Sequence, residues 1–436
     1  MCYNVARCNL ISYGEVQMGT GPTTTIRIDP RVKKAASDIF DQIGISMSAA
    51  VNAFLRAVIR ENGIPFKMKA EPIKANEKAK VIAKNVTLNH AYAAKRDEFY
   101  TEYTDVAKEM KCYKDIFQGK HVLCNCDDPF ESAFFRYFVK HFNDLGLEKL
   151  SSTCYSNSTL AGSEYPLEDG AGAYEAEVNE VPEVFLERPD GSLDLESLLA
   201  IQGNKLQRLD GDGDFRSSEC VSLLKKADVV VTNPPFSLFR EFIKLLQKYH
   251  KKYIILGNIN ASTYKEVFPL FRDDKVWYGD TIHSGDRKFY VPDDYPLKAA
   301  NCGVELNGRK FIRVKGVRWF TNIDNGRRHK ALCLTRNYDP SFYPQYANYN
   351  AIEVNKTTNI PADYFGYMGV PITFLDKYCP EQFEIVMLAN GNARTSVDDA
   401  TLTRVGYTRH PNDRGGVGII NNKRVYARVI IRRRDS

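Results

Sequence analysis

Residues 227–239 read ADVVVTNPPFSLF, and they give the strongest indication of the fold class. The valines at 229–231 predict a strand buried on both faces, and the residues behind the motif predict a helix over 238–249. Two prolines between them fix the backbone, so the side chain before them and the nearby carbonyls point to the end of the strand. A strand and a helix joined in this way predict an α/β fold with ligands gathered where the strands end.

Asn233, Pro234, Pro235 and Phe236 are the candidate catalytic residues. The Asn233 amide oxygen and the Pro234 carbonyl can accept hydrogen bonds, and the Phe236 ring can stack on a planar base. An aromatic amine is a poor nucleophile because its lone pair is delocalised, and two acceptors that hold both of its hydrogens restore a nucleophilic nitrogen. Such a motif suits methyl transfer to the amino group of a base that has swung out of a duplex. The alternative is a rigid turn from strand to helix without a special purpose.

Further strands and helices alternate along the chain on both sides of this motif. Helices are predicted over residues 85–111 and 131–145, and strands over residues 121–124, 149–155, 205–209, 228–232 and 253–256. This alternation favours a mostly parallel sheet. Residues 156–200 are strongly acidic, and we expect them to form an excursion on the surface.

Length and charge limit the classes of protein to which the chain can belong. Its 436 residues, 43% of them hydrophobic, suffice for two or three domains and exclude a peptide hormone, a disulfide-stapled mini-domain and a wholly disordered tail. The net charge is +6, but residues 156–200 contain eleven acidic residues and one basic residue, a local −10 that leaves +16 elsewhere. That remainder suits a polyanionic partner such as nucleic acid, although a charge excess is also typical of a solvated surface.

Several kinds of site are excluded by what the sequence lacks. No apolar run reaches the roughly 18 residues of a membrane span and no export signal is visible, so we expect a cytoplasmic protein without a membrane partner. The ten cysteines are scattered, which is usual for reduced thiols, and the close pair Cys124 and Cys126 lacks the second pair that zinc needs. The acidic run at 210–214 lacks the glycine and glutamate of a calcium loop. A metal-dependent nuclease built on Asp127 and Asp128 would need a nearby lysine or second acidic cluster. We therefore expect no metal.

Residues 22–72 follow a separate pattern. The alternation of TTTIRID at 23–29 predicts a strand, and apolar residues at helical spacing predict helices over 30–43 and 46–62. One strand and two short helices enclose too little core, so pairing of two copies is the physical remedy. The paired strands would form a ribbon that fits the major groove, with Thr23, Thr25 and Arg27 facing outward.

This stretch resembles the ribbon-helix-helix domain of the RelB/DinJ-type antitoxins, which are dimeric DNA-binding repressors of toxin–antitoxin operons. The resemblance implies that Thr23, Thr25 and Arg27 contact DNA, that the domain forms a homodimer, and that a toxin is a partner. The alternative is a dimerisation segment whose polar residues only face solvent. Residues 1–21 are unassigned and expected to be disordered, and residues 73–84 form a polar linker.

The rest of the chain, residues 85–436, resembles another family. The segments that agree, in order, are FYTEYTDVAKEMKCYKDIFQGK, CNCDDPFESAFFRYF, GDGDFRS, ADVVVTNPPFSLF, GVRWFTNID, MGVPITFLDKY and INNKRVYARVIIRR. Together they resemble the EcoRI-type adenine-specific DNA methyltransferases of restriction–modification. The resemblance implies a Rossmann-like S-adenosylmethionine-dependent methyltransferase sheet in residues 85–258 and a target-recognition region in residues 259–436. It also implies double-stranded DNA as substrate and a cognate restriction endonuclease as a partner.

The same resemblance implies which residues hold S-adenosylmethionine. The predicted contacts are Phe99, Tyr100 and Thr101 beside its methionine end, Asn125, Asp127 and Asp128 in the loop after the first strand, and Asp214 and Phe215 at its adenine. One departure from the family pattern is the sequence CNCDDP at 124–129, which stands where other methyltransferases have a glycine-rich loop.

In the target-recognition region, arginines could pair with guanine edges or phosphates, and Trp319 or a neighbouring tyrosine could fill the gap left by the extruded base. Each of these residues singly is more typical of a surface charge or a core aromatic, so the sequence indicates the region and no individual residue. A second hypothesis for the whole chain is an antitoxin-like transcriptional repressor whose C-terminal part binds without catalysis. A third is that two neighbouring reading frames were joined, so that the antitoxin part contributes nothing to methylation.

Overall fold

The computed structural model describes residues 99–156, 172–183, 188, 193–291, 295, 297, 302–305 and 308–434, together with helical positions at residues 37, 47, 49, 51, 54, 56, 59 and 60. The chain divides into two compact units, Met1–Ile82 and Ala83–Ser436. In the first unit the described positions fall within the two predicted helices, over 30–43 and 46–62. The predicted strand at 23–29, with Thr23, Thr25 and Arg27, lies outside the described residues.

The second unit contains both strands and helices. Its strands, as far as the structure describes them, are β1 Tyr100–Thr101, β2 His121–Asn125, β3 Lys149–Thr153, β4 Tyr174–Val178, β5 Lys205–Arg208, β6 Val229–Thr232, β7 Lys252–Asn258, β8 Trp277–Tyr278, β9 Asp286–Tyr290, β10 Cys302–Val304, β11 Lys310–Lys315, β12 Val317–Thr321, β13 Ala351–Glu353, β14 Tyr367–Val370, β15 Phe383–Ala389, β16 Ile419–Ile420, β17 Lys423–Arg424 and β18 Arg428–Arg433. Its α-helices are α1 Tyr103–Met110, α2 Ala133–Lys140, α3 Leu195–Leu199, α4 Ser218–Lys226, α5 Phe239–Lys248, α6 Phe268–Arg272, α7 Ala393–Ser396 and α8 Asp399–Arg404. Short 3₁₀ helices span Lys111–Ile116, Phe236–Leu238, Ile259–Thr263, Thr357–Asn359 and Ile372–Lys377.

The largest sheet leads into the motif at 233–236. Among the described residues it contains eight strands in the order β5–β4–β3–β2–β6–β7–β12–β8. β3, β2, β6 and β7 run parallel, and the flanking strands run antiparallel to their neighbours. The parallel strands end at Thr153, Asn125, Thr232 and Asn258, and we call this side of the sheet the carboxyl edge. The α/β class is confirmed, but the sheet is mixed and not mostly parallel.

Helices on both faces explain why β2 and β6 are buried along their whole length and mostly apolar. Successive side chains of a strand point to opposite faces. Val229 and Val231 of β6 accordingly pack in one core cluster, which includes the phenylalanines of α2. Val230 packs in the other cluster, with Phe242 and Leu246 of α5. The valine run is thus the sequence signature of a central strand.

Two further four-stranded sheets flank the central one. The first has the order β1–β9–β11–β10 and is antiparallel throughout. The second, which we call the C-terminal sheet, has the order β13–β14–β18–β15, with β13 and β14 parallel and the other pairs antiparallel. Ile352 and Met368 of the C-terminal sheet share a core cluster with Phe320 of β12, so this sheet and the central sheet share a core.

Two predictions about secondary structure are wrong. The helix predicted over 85–111 is interrupted at Tyr100–Thr101, which pair with β9, a strand almost two hundred residues away. The acidic stretch does not lie wholly on the surface, because Tyr174–Val178 forms β4 inside the central sheet. Lys149 of β3 and Lys205 of β5 form ion pairs with Glu177, at 2.6 and 3.4 Å, and thereby compensate its charge.

Trp319 is a core aromatic, which was the more typical of its two expected roles. Trp319 lies in β12, is fully buried, and packs edge-on against Phe134, so it cannot enter a duplex. Its neighbour Arg318 is buried as well, and its guanidinium pairs with Asp376 at 2.6 Å. Arg318 therefore joins the central sheet to the 3₁₀ helix Ile372–Lys377, and Trp319 belongs to the core between the sheet and α2.

Candidate active site

The motif Asn233–Phe236 begins where β6 ends at the carboxyl edge. Pro235 accepts a hydrogen bond at its carbonyl from the Leu238 amide at 2.9 Å, which closes the 3₁₀ turn that precedes α5. Pro234 is buried, Asn233 is half-buried, and Phe236 is 8% exposed. The sequence-predicted catalytic residues therefore lie together at the end of a central strand.

Of the two polar side-chain atoms of Asn233, the nitrogen forms a hydrogen bond and the oxygen has no partner among the described residues. Its Nδ2 donates to the Phe99 carbonyl at 2.6 Å. Only the amide nitrogen can donate to a carbonyl, so this contact fixes which way the amide points. Asn233 Oδ1 is buried and has no hydrogen-bond partner in the described part of the chain. A buried acceptor without a donor costs about 1–3 kcal/mol, which a ligand that donates a hydrogen bond would recover.

Asp127 holds the motif from the side of β2. Ser132 Oγ donates to its Oδ1 at 2.9 Å, and Thr232 Oγ1 donates to its Oδ2 at 2.5 Å. The backbone N–H of Asn233 also donates to this carboxylate. Burial raises the pKa of Asp127 to about 7, although the bonds from Thr232, Ser132 and Asn233 favour the ionised form. The carboxylate thus ties the loop after β2 to the residue that begins the motif.

Two more buried polar atoms near the motif lack partners among the described residues. Thr101 is 7% exposed and its Oγ1 is unpaired. Asn125 is fully buried, and its Oδ1 accepts from Thr153 Oγ1 at 2.8 Å while its Nδ2 is unpaired. Thr101 follows Phe99 by two residues, and the Asn125 carbonyl accepts from Thr232 Oγ1. The carboxyl edge therefore presents unpaired hydrogen-bonding groups of both kinds, which is what a polar ligand requires.

An aromatic cluster supports the motif from behind. The Phe99 ring meets Phe236 at 5.9 Å and Phe289 at 6.0 Å between centroids, and Phe236 meets Phe289 at 6.0 Å. Tyr295 also contacts Phe99, at 6.3 Å. The edge-on contacts, Phe99 with Phe236 and Phe236 with Phe289, favour a defined orientation of the rings. The first strand, β9 and the motif are thereby packed as one group.

The other predicted cofactor residues occupy separate positions. Tyr100 lies in β1 opposite Tyr290, and Asp128 is buried with its Oδ1 accepting from the Phe130 amide at 2.9 Å. Asp214 forms an ion pair with Arg216 at 2.6 Å. Phe215 is 2% exposed and packs on Phe242, so its ring belongs to the core.

Comparison with known proteins adds the family. A sequence model of the family described as adenine-specific methyltransferase EcoRI matches residues 87–434. The chain belongs to this family. The methyltransferase is 42% identical over 352 residues to the Type II methyltransferase M.EcoRI of Escherichia coli, an overlap of 80% of this chain and 97% of the relative. It is 37% identical over 355 residues to the Type II methyltransferase M.MpnI of Mycoplasma pneumoniae, with 80% and 98% covered.

The third relative is the Type II methyltransferase M.MgeORF184P of Mycoplasma genitalium, which is 36% identical over 356 residues, with 80% of this chain and 98% of the relative covered. A family model for the RelB antitoxin matches residues 23–102 of the methyltransferase. No solved structure matches the chain. Both resemblances read from the sequence are thus confirmed.

Sequence reasoning missed Ser132 and Thr232 of the methyltransferase. Ser132 starts α2, where its Oγ accepts from the amides of Phe134 and Phe135, and it donates to Asp127 at the same time. Thr232 is the polar residue that ends an otherwise apolar strand, which was a usable signal. In the described ranges, no group of three or more His, Cys, Asp or Glu side chains could hold a metal. None of the helices described is both long and apolar enough to span a membrane.

Proposed function

We propose that this methyltransferase transfers a methyl group from S-adenosylmethionine to the exocyclic amino group of an adenine flipped out of duplex DNA, as in restriction–modification. The observation that carries the proposal is the fixed amide of Asn233, whose buried Oδ1 is unpaired. Family membership supports the methyl transfer itself. The alternative function, a repressor without catalysis, does not explain why the buried Oδ1 of Asn233 has no partner among the described residues.

The chain's own residues perform the chemistry by holding the amine. Asn233 Oδ1 and the Pro234 carbonyl accept its two hydrogens, which makes the nitrogen lone pair available. Phe236 stacks on the base, and Pro235 keeps the turn rigid. S-Adenosylmethionine, when bound, supplies a methyl group on a positively charged sulfur. The proton of the amine can leave after transfer, so a strong base is not needed.

The unpaired atoms at the carboxyl edge fit a polar cofactor. Thr101 Oγ1 can accept from an ammonium group and Asn125 Nδ2 can donate to a carboxylate or hydroxyl, so these two atoms support the cofactor assignment most directly. Roles for Phe99, Tyr100, Asp127, Asp128, Asp214 and Phe215 in holding the same cofactor stay predictions.

Sequencing that detects modified bases tests the proposal. We expect DNA from cells that express the wild-type protein to carry methylated adenine at one short motif, and DNA from cells that express Asn233→Ala to carry none. Unmodified DNA in the wild-type sample would contradict the proposed activity. The same data would identify the recognised DNA sequence. We propose that residues 259–436 recognise it.

We also propose that residues 22–72 form a ribbon-helix-helix dimer that binds DNA through Thr23, Thr25 and Arg27. The RelB match supports this assignment. Phe54 and Ile59 on the second predicted helix are 41% and 79% exposed in the single chain, which suits a helix that packs against a second copy. Deletion of residues 1–72 should lower DNA affinity. Unchanged affinity and site preference would favour a joined reading frame without a role in methylation.

Duplex DNA as substrate favours the cytoplasm as the site of action. A toxin and a cognate restriction endonuclease remain proposed partners of the two parts. Co-purification of the full chain with the products of neighbouring genes would test both.

A further inference from the structure

A rigid hairpin lies just before the last strand of the C-terminal sheet. β16 and β17 are joined by Asn421 and Asn422, which have φ values of +48° and +59°. Two successive left-handed residues are the signature of a two-residue turn whose twist matches that of the strands. The Val425 amide donates to the Gly418 carbonyl at 3.0 Å and extends the pairing by one bond.

The loop at 407–416 is fastened to this hairpin. Asn412 Nδ2 donates to the Asn422 carbonyl at 2.9 Å, and Arg424 Nε donates to the Asn412 carbonyl at 2.7 Å. The hairpin and the loop therefore form one surface, residues 407–426, which we call the basic platform. A surface held by its own hydrogen bonds loses little conformational entropy when it binds a partner.

The basic platform is rich in exposed cations. Arg409, Arg414, Lys423 and Arg424 are exposed. Asp413 is its single acidic residue, and both of its oxygens are occupied, Oδ1 by the Gly416 amide at 2.7 Å and Oδ2 by the Tyr407 hydroxyl.

The next strand shows a different arrangement. Arg428 pairs with Glu353 at 2.6 Å and Arg432 pairs with Glu384 at 3.0 Å, whereas no acidic residue of the described chain pairs with Arg409, Arg414 or Lys423. Tyr426, the last residue of the basic platform, is 87% exposed and offers a hydroxyl donor. Arg428 and Arg432 therefore stabilise the fold through their ion pairs, whereas the exposed cations of the platform are available to an anion.

The strand register places the basic platform on the side of the candidate active site. Arg318 lies opposite Gly257, at the carboxyl edge, and binds Asp376. Asp376 follows the end of β14 by six residues, and the last residue of β14, Val370, lies opposite Val429. The beginning of β18, which directly follows the platform, therefore points to the carboxyl edge.

We infer that the basic platform binds the phosphate backbone of the duplex from which the target base is taken. This inference rests on the proposed function, and it assigns contact with the DNA phosphates to the basic platform. Phosphates attract arginine and lysine without regard to sequence, and each neutralised phosphate releases a counterion. The platform would thus position the duplex while other residues specify the sequence.

The test compares two variants that lose the same charge. Arg414→Ala/Lys423→Ala removes two exposed cations of the platform. Lys225→Ala/Lys226→Ala removes two exposed cations at the end of α4, just before β6 begins and so at the opposite edge of the sheet. Affinity for a fluorescent duplex is measured without cofactor at several salt concentrations.

We expect the platform variant to lower the slope of log Kd against log salt by about 1.8, because each lost phosphate contact removes about 0.9. Its Kd should rise by about tenfold at 0.1 M salt, while kcat at saturating DNA stays within about twofold. The Lys225/Lys226 variant should match the wild type. An unchanged slope in the platform variant, or an equal loss in both variants, would overturn the inference.

A second variant guards against misfolding. Lys423→Glu changes a single exposed side chain at the turn, and its thermal melting should match the wild type while its affinity falls further than that of Lys423→Ala. Equal affinity of Lys423→Glu and the wild type would also overturn the inference. Failure of the proposed function has a different signature, since a wild-type protein that binds the duplex but transfers no labelled methyl group would contradict the activity alone.

Discussion

Asp127 and Asn233 are neighbouring polar groups at the carboxyl edge that the fold treats in opposite ways. Both oxygens of Asp127 accept hydrogen bonds from protein donors. Asn233 has its nitrogen occupied and its oxygen unpaired. The contrast shows how a flexible amide is kept ready for a ligand: a satisfied carboxylate fixes the backbone, a carbonyl fixes the side chain, and a single acceptor stays open.

Removal of the open acceptor should have the largest effect. Asn233→Ala is expected to lower kcat for adenine methylation by about a thousandfold, because one preorganised hydrogen bond to the reacting group is lost. Stability should fall by about 1 kcal/mol, because the bond from Nδ2 to the Phe99 carbonyl is lost, whereas the removed oxygen has no partner among the described residues. Single-turnover transfer of labelled methyl to a duplex measures the rate, and thermal melting measures stability.

Asn322→Ala is the matched control for Asn233→Ala. Both amide atoms of Asn322 are paired, Oδ1 with the Tyr253 amide at 3.0 Å and Nδ2 with the Lys251 carbonyl at 2.8 Å. This variant should lose about 1–3 kcal/mol of stability and keep its kcat. If Asn233→Ala and Asn322→Ala lost stability and kcat in the same proportion, the result would contradict a specific catalytic role for the unpaired Oδ1 of Asn233.

Loss of the satisfied carboxylate should have a smaller effect on the rate. Asp127→Asn keeps the shape of the side chain but removes one of its acceptors, so the backbone of Asn233 is less firmly held. We expect kcat to fall by about ten- to a hundredfold, as is typical of groups that position a catalytic residue. Thr232→Val should behave alike, and Thr232→Ser should retain activity.

The pH dependence of Asp127 gives a signature that ordinary misfolding does not. The pKa is raised from 3.8 to about 7, so the stability linked to its protonation is full below pH 4 and is lost as pH rises through 7. The wild type should therefore lose unfolding free energy relative to Asp127→Asn between pH 4 and 8, by an amount on the order of 4 kcal/mol.

Activity should follow the opposite sign, because the ionised carboxylate is the form that accepts all three donors. We expect the kcat of the wild type to fall as pH drops through about 7, and this limb to be absent in Asp127→Asn. Asp398→Asn, at the exposed N-cap of α8, is the control and should leave both profiles unchanged. Identical pH profiles of stability and kcat in the wild type and Asp127→Asn would contradict the role proposed for the Asp127 carboxylate.

The smallest effect is expected at Thr101. Thr101→Val replaces an unpaired buried hydroxyl with a methyl group, so the free protein should gain about 1 kcal/mol of stability, while S-adenosylmethionine binding weakens by about fivefold. Calorimetric titration and melting measure the two effects. Thr321 has a paired hydroxyl that donates to the Tyr253 carbonyl at 2.8 Å, so Thr321→Val should lose stability instead. A stability loss in both variants would contradict the claim that the Thr101 hydroxyl is open.

Local patterns predicted the strands that carry the motif. The strand predicted over 121–124 is observed as β2 His121–Asn125, and that over 228–232 as β6 Val229–Thr232. Both strands lie in the centre of a sheet. Because both of their faces are buried, nearly every residue is apolar, and such a run is easy to recognise in the sequence. The polar residues after them were recognised for the same reason, since they interrupt those runs.

Features that depend on distant pairing were not predictable from local pattern. β1 is two residues long and exists because β9 pairs with it. Glu177 looked like a surface charge until lysines from two neighbouring strands were seen to pair with it. The alternation of Tyr174, Ala176 and Val178, which are buried, was a usable sign of β4 that the surrounding acids concealed. The hydrogen bonds that Asp127 accepts from Thr232 and from the Asn233 amide likewise depend on residues that are distant in the sequence.

The buried pair of Arg318 and Asp376 bears on efforts to change which sequence is modified. Such efforts often build chimaeras, in which the recognition half of one enzyme replaces that of another. Here a graft that began after β12 and brought no acid to position 376 would leave a guanidinium in a dry interior, at a cost of about 3–5 kcal/mol. A workable junction has to exchange both members of the pair or neither.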